Sequence, residues 1–170
     1  MFNFAKVVDN KVTNTYRSDK QYVDDNGVRF PQSIWQNDAF LKSQNIYTII
    51  DSTMPNEILY TIGNQILSYD TKADKVLRSY TKTEKSNTEL KSYFNQVNLE
   101  QFKLMLEPTN YHLIRKQEDS NYTIPESVTE WRKTIYSEFD AHAKNISACD
   151  SISKFADLKI VFTQQPDDVI

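Results

Sequence analysis

The residues of this chain that could do acid–base or metal chemistry are few and lie apart in the sequence. His112 and His142 are its only histidines, and Cys149 is its only cysteine. His112 has no second imidazole or carboxylate at ligand spacing, and His142 falls on an apolar helical stripe, where a packed, hydrogen-bonded histidine is expected. A single cysteine excludes an internal disulfide framework and a thiolate zinc site. A Ser–His–Asp arrangement built from distant residues stays open, but no spacing argues for one.

The other residue types that mark enzymes are equally sparse. The chain has two glycines, too few for a phosphate-cradling loop or a dinucleotide fingerprint, and a nucleophile elbow needs glycines as well. Residues Asp24–Gly27 resemble the start of a calcium loop, but the later ligands and the closing glutamate are missing, so a turn is predicted. The carboxylate pairs Glu118–Asp119 and Asp167–Asp168 lie in polar linkers and read as solvated turns. We therefore predict a non-enzymatic protein without metal or cofactor.

Composition narrows the classes of protein to which the chain could belong. The chain is 39% hydrophobic and 25% charged, which is ordinary for a folded soluble protein. Its net charge of −3 gives no electrostatic footprint for nucleic acid. No apolar run approaches the roughly 18 residues that cross a bilayer, and no signal peptide is evident, so no membrane insertion is expected. Aromatic residues make up 12%, which favours either a binding surface or a compositional bias toward Tyr and Asn from an AT-rich genome.

Residues 1–84 read as a small antiparallel β lobe. A hairpin is predicted from Phe2–Val8 and Lys11–Tyr16 around Asp9–Asn10, followed by a short helix over Ser33–Lys42 that ends near Asn45. A strand at Ile46–Asp51 comes next, and then a β-meander with turns at Gly63–Asn64 and Thr71–Ala73. The meander strands are Glu57–Ile62, Gln65–Asp70 and Lys75–Thr83. Strands Phe2–Val8 and Lys75–Thr83 are predicted to offer edges that another chain could extend.

Residues 85–170 read as a helical lobe, so the fold class is α+β. One helix is predicted over Leu90–Leu106, with a break near Asn98 possible in principle, and a second from Pro125 to about Ala148. The second carries an apolar stripe at steps of three and four. The stripe consists of Val128, Trp131, Ile135, Phe139, His142 and Ile146. The two helices should pack as an antiparallel hairpin, followed by a last short helix from Asp150 and an irregular tail over 164–170.

The joint between these helices is the most informative stretch. Pro125 is suited to the first turn of the second helix, and Ser127 with Glu130 offers a capping box as a second way to begin it. Arg115 and Arg132 stand beside apolar anchors, where a guanidinium can hold carbonyl or carboxylate oxygens. Two helical pieces joined by a polar elbow are predicted here.

This stretch resembles the C-terminal part of small bacteriophage tail proteins, the group of tail-fibre accessory proteins and tail assembly chaperones. Those proteins often read Leu, a short gap, Thr-Asp-Trp, Arg, a polar linker with Gly, then Pro, Val and Tyr-Arg. The residues that fall on this pattern are Leu106, Thr109, Tyr111, Arg115, Pro125, Val128, Trp131 and Arg132. The departures are Asn110 for Asp, Tyr111 for Trp, Asn121 near the usual Gly, and Trp131 for Tyr. The similarity runs over residues 90–168.

The resemblance implies a tail-fibre or baseplate accessory component of the virion tail, made in the host cytoplasm and bound to other phage tail proteins. An assembly chaperone that leaves the particle stays open, as do a homo-oligomer and a β module that recognises host-surface glycan through Trp35. The candidate interface residues are Trp35, Tyr122 and Tyr136, because aromatic side chains make good interface anchors. Trp131 is expected in the core, since it lies on the apolar stripe.

Overall fold

The computed structural model describes residues 3–165, in which strands come first and helices follow. This order confirms the α+β class. The chain divides into two compact units, Met1–Thr83 and Glu84–Ile170. We call the first the sheet unit and the second the helical unit.

Five strands of the sheet unit form one mixed sheet. They are β1 (Phe4–Val8), β2 (Lys11–Tyr16), β5 (Ile46–Asp51), β6 (Tyr60–Asp70) and β7 (Lys75–Glu84). Their spatial order is β2-β1-β5-β7-β6, and a separate two-stranded sheet pairs β3 (Tyr22–Val23) with β4 (Arg29–Phe30). Strand β1 is antiparallel to both β2 and β5.

The prediction of an entirely antiparallel sheet is wrong at one pair, because β5 and β7 run parallel. Their register sets Asp51 opposite Arg78, and the buried Arg78 donates a hydrogen bond from Nη1 to Oδ1 of Asp51 over 2.7 Å. From β5 the chain passes to the edge strand β6 and then returns as β7, which lies between β5 and β6. Pairing partners of this kind leave no local pattern in the sequence.

The predicted turn at Asp9–Asn10 is confirmed. Both residues have positive φ, 51° and 63°, as the turn of a two-residue hairpin requires, and Asn and Asp tolerate that region better than most residues. Strand β2 follows with the predicted bounds. Strand β1 begins at Phe4, and Phe2 of the predicted strand lies outside the described residues.

The predicted turn at Gly63–Asn64 is wrong, because β6 runs without a break from Tyr60 to Asp70. Gly63 has a different structural role. A Cβ at this position would lie 2.3 Å from Oγ1 of Thr81 on β7. The missing side chain therefore allows two strands to approach closely, a known use of glycine inside a strand.

The prediction of free edges at Phe2–Val8 and Lys75–Thr83 is also wrong. Strand β1 lies between β2 and β5, and β7 lies between β5 and β6. The edges of the sheet are β2 and β6 instead. The error follows from the pairing order, since β5 enters between two hairpins and covers one side of each.

The turn between β6 and β7 is fixed by polar side chains. Asp74 has a φ of 54° and accepts hydrogen bonds from Nζ of Lys42 and from the hydroxyl of Tyr69, both over 2.7 Å. The bond from Lys42 and the bond from Tyr69 hold the pKa of the Asp74 carboxyl below its usual range. The turn is thereby tied to Lys42, on the helix described next.

The predicted helix over Ser33–Lys42 is present as two pieces. A 3-10 helix spans Gln32–Gln36, and α1 spans Asp38–Ser43. Asn37 separates them, and its side chain accepts a hydrogen bond from the backbone of Phe40 as the cap of α1. Asn45 has a φ of 54° just after the helix, as expected for a residue that ends it.

Both faces of the five-stranded sheet are packed. Neighbouring strand residues point to opposite faces, so Phe4 belongs to one cluster and Ala5 to the other. The first cluster is aromatic and consists of Phe4, Tyr22, Trp35, Leu41 and Ile46. The second consists of Ala5, Val7, Ile49 and Val76. The sheet unit thus has its own core.

Within residues 84–165, the helical unit contains four α-helices and a short 3-10 turn. They are α2 (Asn87–Leu106), the 3-10 turn Glu107–Thr109, α3 (Asn110–Glu118), α4 (Glu126–Ala148) and α5 (Ile152–Asp157). Helices α2 and α4 pack antiparallel: Nζ of Lys91, early in α2, reaches the carbonyl of Ser147, late in α4, over 2.7 Å. Both helices of the predicted hairpin are therefore confirmed.

Helix α2 continues through Asn98, so the break considered there is absent. The Asn98 side chain is buried, and its Nδ2 donates to the carbonyl of Phe139 on α4 over 3.1 Å. The amide that could have capped a new helix is thus bonded across the helix pair through its nitrogen, while its buried Oδ1 has no hydrogen-bond partner within residues 3–165. The start of α2 is a capping box in which Ser86 and Glu89 bond to each other's backbone. The hydroxyl of Ser86, and then its backbone N–H, donate to Oε2 of Glu89 and lower the pKa of that carboxyl.

The core of the helical unit combines the helix pair with an extended C-terminal segment. Its buried members are Leu106, Val128, Trp131, Ile135 and Phe162. Glu138 on α4 accepts hydrogen bonds from the backbone N–H and the hydroxyl of Thr163, which holds this segment along the helix. The tail predicted to be irregular is described as far as Gln165 and has no helix or strand there; the predicted turn at Asp167–Asp168 lies outside the described residues.

Candidate interaction surface

The polar elbow after α2 is held by a guanidinium from α4. Nη1 of Arg132 lies 2.6 Å from Oγ1 of Thr109, 3.3 Å from the carbonyl oxygen of Leu106 and 3.2 Å from Oδ1 of Asn110. Thr109 is fully buried, and its hydroxyl donates to the same Leu106 carbonyl over 2.9 Å. The carbonyl left free at the end of α2 is thus satisfied by side chains, which fixes the direction in which α3 leaves.

The start of α4 follows one of the two predicted routes. Pro125 is the residue immediately before the helix, with a φ of −55°. The capping box predicted from Ser127 and Glu130 does not form, because both residues already lie inside the helix. Pro125 stops the chain from continuing as helix on its N-terminal side, and the helix begins at Glu126.

Two of the motif residues on α4 are core residues. Val128 and Trp131 are buried, and Trp131 is 5% exposed. Both pack in the cluster that includes Leu106, the last residue of α2. Trp131 therefore anchors the helix pair and is not available to a partner.

Helix α3 has no buried residue along its nine positions. Three of its large apolar side chains are exposed: Tyr111 at 57%, Leu113 at 42% and Ile114 at 55%. Isolated exposed apolar residues are common, but a whole helix without a buried one is stabilised by little beyond its ends and its neighbours. We call Tyr111, Leu113 and Ile114 the α3 surface.

An aromatic–cation cluster fixes one side of this surface. Nη1 of Arg115 donates to the hydroxyl of Tyr111 over 2.9 Å, and its guanidinium carbon lies 4.6 Å from the ring centre of Tyr122. A hydrogen bond of 2.6 Å joins Nδ1 of His112 and the hydroxyl of Tyr122. These contacts tie the loop after α3 back to the helix, so Tyr111 is presented in a defined orientation.

A shallow groove adjoins the beginning of α3. It has a volume of about 580 Å³ and is lined by Glu100, Lys103, Leu104, Glu107 and Asn110. Leu104, the one apolar lining residue, is 60% exposed, and the other four are polar or carry charges of both signs.

The three predicted interface residues lie in different environments. Trp35 is 6% exposed, and its indole N–H donates to the carbonyl of Lys20, so the prediction of an exposed anchor is wrong. The stacking of Phe4 on its ring explains the burial, since the strand and the 3-10 helix bring both into one cluster. Tyr122 is half-buried in the aromatic–cation cluster. Tyr136 is 50% exposed on α4, with its ring edge against Phe102.

The side chains that could do acid–base or metal chemistry have structural roles. Nε2 of His142 lies 3.0 Å from the carbonyl oxygen of Val161, and its ring packs on Phe162, which confirms the packed histidine predicted from the stripe. Cys149 is buried, as predicted. Within residues 3–165, no three His, Cys, Asp or Glu side chains come close enough together to hold a metal ion. In the same range no helix combines the length and apolarity needed to span a bilayer.

The sequence patterns missed part of this surface. Leu104, Leu113 and Ile114 have no assigned role in the sequence analysis, because two adjacent apolar residues in a nine-residue helix fit a core-facing stripe as well as an exposed surface. The contact between His112 and Tyr122 leaves no sequence pattern either, because ten positions and a loop separate the two residues.

None of the protein family models compared with the chain matches it, and neither a curated protein nor a solved structure does. The geometry of the described residues therefore carries the functional argument.

Proposed function

We propose that this chain is a non-enzymatic structural protein that acts by binding another protein. The observation that carries the proposal is α3, a helix with no buried residue that exposes Tyr111, Leu113 and Ile114. Exposed apolar area of this kind is characteristic of protein–protein contact sites. The Arg132–Thr109 network and the aromatic–cation cluster hold the surface in place, which lowers the entropic cost of binding.

The particular protein class proposed is a bacteriophage tail protein, a tail-fibre or baseplate accessory component that stays in the virion. Support comes from the resemblance of residues 90–168 to such proteins and from the position of its motif residues. Thr109 and Arg132 form the elbow, Tyr111 and Arg115 form part of the α3 surface and its cluster, and Val128 and Trp131 anchor the helix below. The motif residues thus support or belong to the proposed binding surface.

Pull-down with purified tail-fibre and baseplate proteins of the encoding phage tests the binding. The wild-type chain should retain one of them, and Ile114→Asp should weaken retention at least tenfold, because a charge in the centre of an apolar contact must be desolvated. Val161→Asp is the matched control, since Val161 is 68% exposed in the same unit outside α3. Equal loss with both variants, or no retention by the wild type, would count against the surface.

Mass spectrometry of purified particles tests residence in the tail. A fixed copy number of this chain per particle is expected of a structural component. Absence from particles, together with abundance in infected lysate, would instead identify a chaperone that releases its client.

A further inference from the structure

The sheet unit contains an open pocket that the proposed protein contact does not use. Its volume is about 610 Å³, within the ~300–1,000 Å³ typical of small-molecule sites. The pocket lies where the start of β1, the loop after β2, the 3-10 helix and β5 come together. Its position is set by the aromatic cluster beneath it, because Phe4 and Trp35 belong to both.

The floor of the pocket is apolar and rigid. It is formed by Phe4 and Trp35, which are both buried, whereas the side chain of Ile49, another lining residue, packs in the cluster on the other face of the sheet. The rings of Phe4 and Trp35 stack with centroids 4.9 Å apart, and the indole N–H is already bonded to the Lys20 carbonyl. The floor therefore offers C–H and ring-edge contacts to a ligand and no hydrogen bond.

The walls are polar and carry no formal charge among the described residues. They consist of Asn3, Ser18, Gln32, Ser33, Gln36 and Thr48. Gln32 Nε2 donates to the carbonyl of Ser18 over 3.0 Å, which leaves its carbonyl oxygen as an acceptor. The side chains of Ser33, Gln36 and Thr48 are exposed, and no hydrogen bond joins them to another group in residues 3–165. Amide and hydroxyl groups can each donate and accept.

This combination discriminates among ligand classes. A charged ligand would find no countercharge on the walls. An extended peptide that binds by strand addition needs free backbone groups, but β1 and β5 are each paired on both sides. A sugar chain needs neutral hydrogen-bonding groups for its hydroxyls and an apolar floor for the C–H face of its rings, and the pocket has both.

We propose that this pocket binds a neutral oligosaccharide. The site lies wholly in the sheet unit and does not depend on the proposed protein contact of the helical unit. Trp35 acts there as part of the buried floor, and Ser33, Gln36 and Thr48 supply the hydrogen bonds to sugar hydroxyls.

The test is nuclear magnetic resonance titration of the full chain with maltohexaose, cellohexaose, chitohexaose, mannohexaose and a galactan hexamer at millimolar concentration. At least one of these should shift the backbone amides of Ser33, Gln36 and Thr48. Gln36→Ala and Thr48→Val should each weaken its binding about fivefold, the effect of one lost hydrogen bond of about 1 kcal/mol. Gln65→Ala is the matched control on β6, because Gln65 is exposed and does not line the pocket.

Three results would overturn the proposal. The first is no shift of the pocket amides with any of the five oligosaccharides. The second is binding that Gln36→Ala and Thr48→Val leave unchanged. The third is a shift of the same amides by a polyalanine or polyserine peptide with none from the sugars, which would make the pocket a peptide site. Melting temperatures of the variants close to that of the wild type, as expected for exposed side chains, would check that folding is retained.

Discussion

Nη1 of Arg132 lies 2.6 Å from Oγ1 of Thr109, so one side chain of α4 determines how the chain turns after α2. The Thr109 hydroxyl is fully buried and is used twice, as acceptor from Arg132 and as donor to the Leu106 carbonyl. A change at either residue leaves a buried polar group without its partner, which is the costly way to lose a hydrogen bond.

Arg132→Ala should lower the free energy of unfolding by about 1–3 kcal/mol, because the buried Thr109 hydroxyl and the Leu106 carbonyl lose a charged donor. Chemical denaturation measures the change. Lys133→Ala is the control, since Lys133 is the exposed neighbour on the same helix. Equal stability of the two variants would show that the elbow does not depend on the guanidinium.

Trp131→Ala should destabilise the helical unit by about 3–5 kcal/mol, the usual loss for a buried aromatic side chain. Trp131→Phe should cost much less, because the buried indole N–H has no hydrogen-bond partner in the described part of the chain and its removal sacrifices none. Thermal unfolding followed by circular dichroism compares the two. A Phe variant as unstable as the Ala variant would mean that the indole N–H makes a bond of its own.

Gly63→Ala should destabilise the sheet unit by about 1–3 kcal/mol through overpacking, because the new Cβ would approach Oγ1 of Thr81 to 2.3 Å. The double variant Gly63→Ala/Thr81→Ala should recover most of the loss, since the Cβ of residue 81 lies 3.4 Å away. A double-variant cycle on unfolding free energies gives the coupling. Additive effects would show that the loss caused by Gly63→Ala does not come from contact with the Thr81 side chain.

The Asp74 turn should make the stability of the sheet unit depend on acid. The pKa of this carboxyl is held below its ordinary 3.8 by Lys42 and then by Tyr69, so its contribution is present above that value and lost as pH falls through the lowered pKa. The stability difference between wild type and Asp74→Asn should therefore shrink below about pH 4. Melting temperatures from neutral pH to strong acid measure it. A difference that stays constant over this range would contradict a contribution from the Asp74 carboxylate.

The chemistry of neighbouring residues was enough to predict secondary-structure elements, but not which of them pack or pair with one another. The turn at Asp9–Asn10 and strand β2 were predicted correctly. A turn with positive φ and the alternation of apolar and polar residues in a strand both depend on neighbouring residues alone. The turn at Gly63–Asn64 was wrong because a glycine in a tight turn and a glycine beneath a neighbouring strand look the same in one sequence. Only the position of Thr81 separates the two cases.

The candidate surfaces were predicted only in part, because some of their contacts join residues that are distant in the sequence. Arg132 was expected to hold carbonyl oxygens, and it does bond the Leu106 carbonyl. Trp35 was expected to be exposed, but its burial depends on Phe4, which is far away in the sequence. The pocket above Trp35 has walls from four separate segments, and no spacing rule connects them.

The position of β5 has a consequence for the order in which the sheet unit folds. Both of its neighbours in the five-stranded sheet are distant in sequence, whereas β1–β2 and β6–β7 are hairpins closed by short turns. Hairpins close early because their loops are short, so β5 should join them late. Ile49→Val should then accelerate unfolding and leave the refolding rate almost unchanged in stopped-flow experiments, whereas slower refolding would place β5 in the folding nucleus. Until β5 is in place, the inner sides of both hairpins remain open to pairing with other chains, which makes slow insertion of this strand the step most exposed to aggregation.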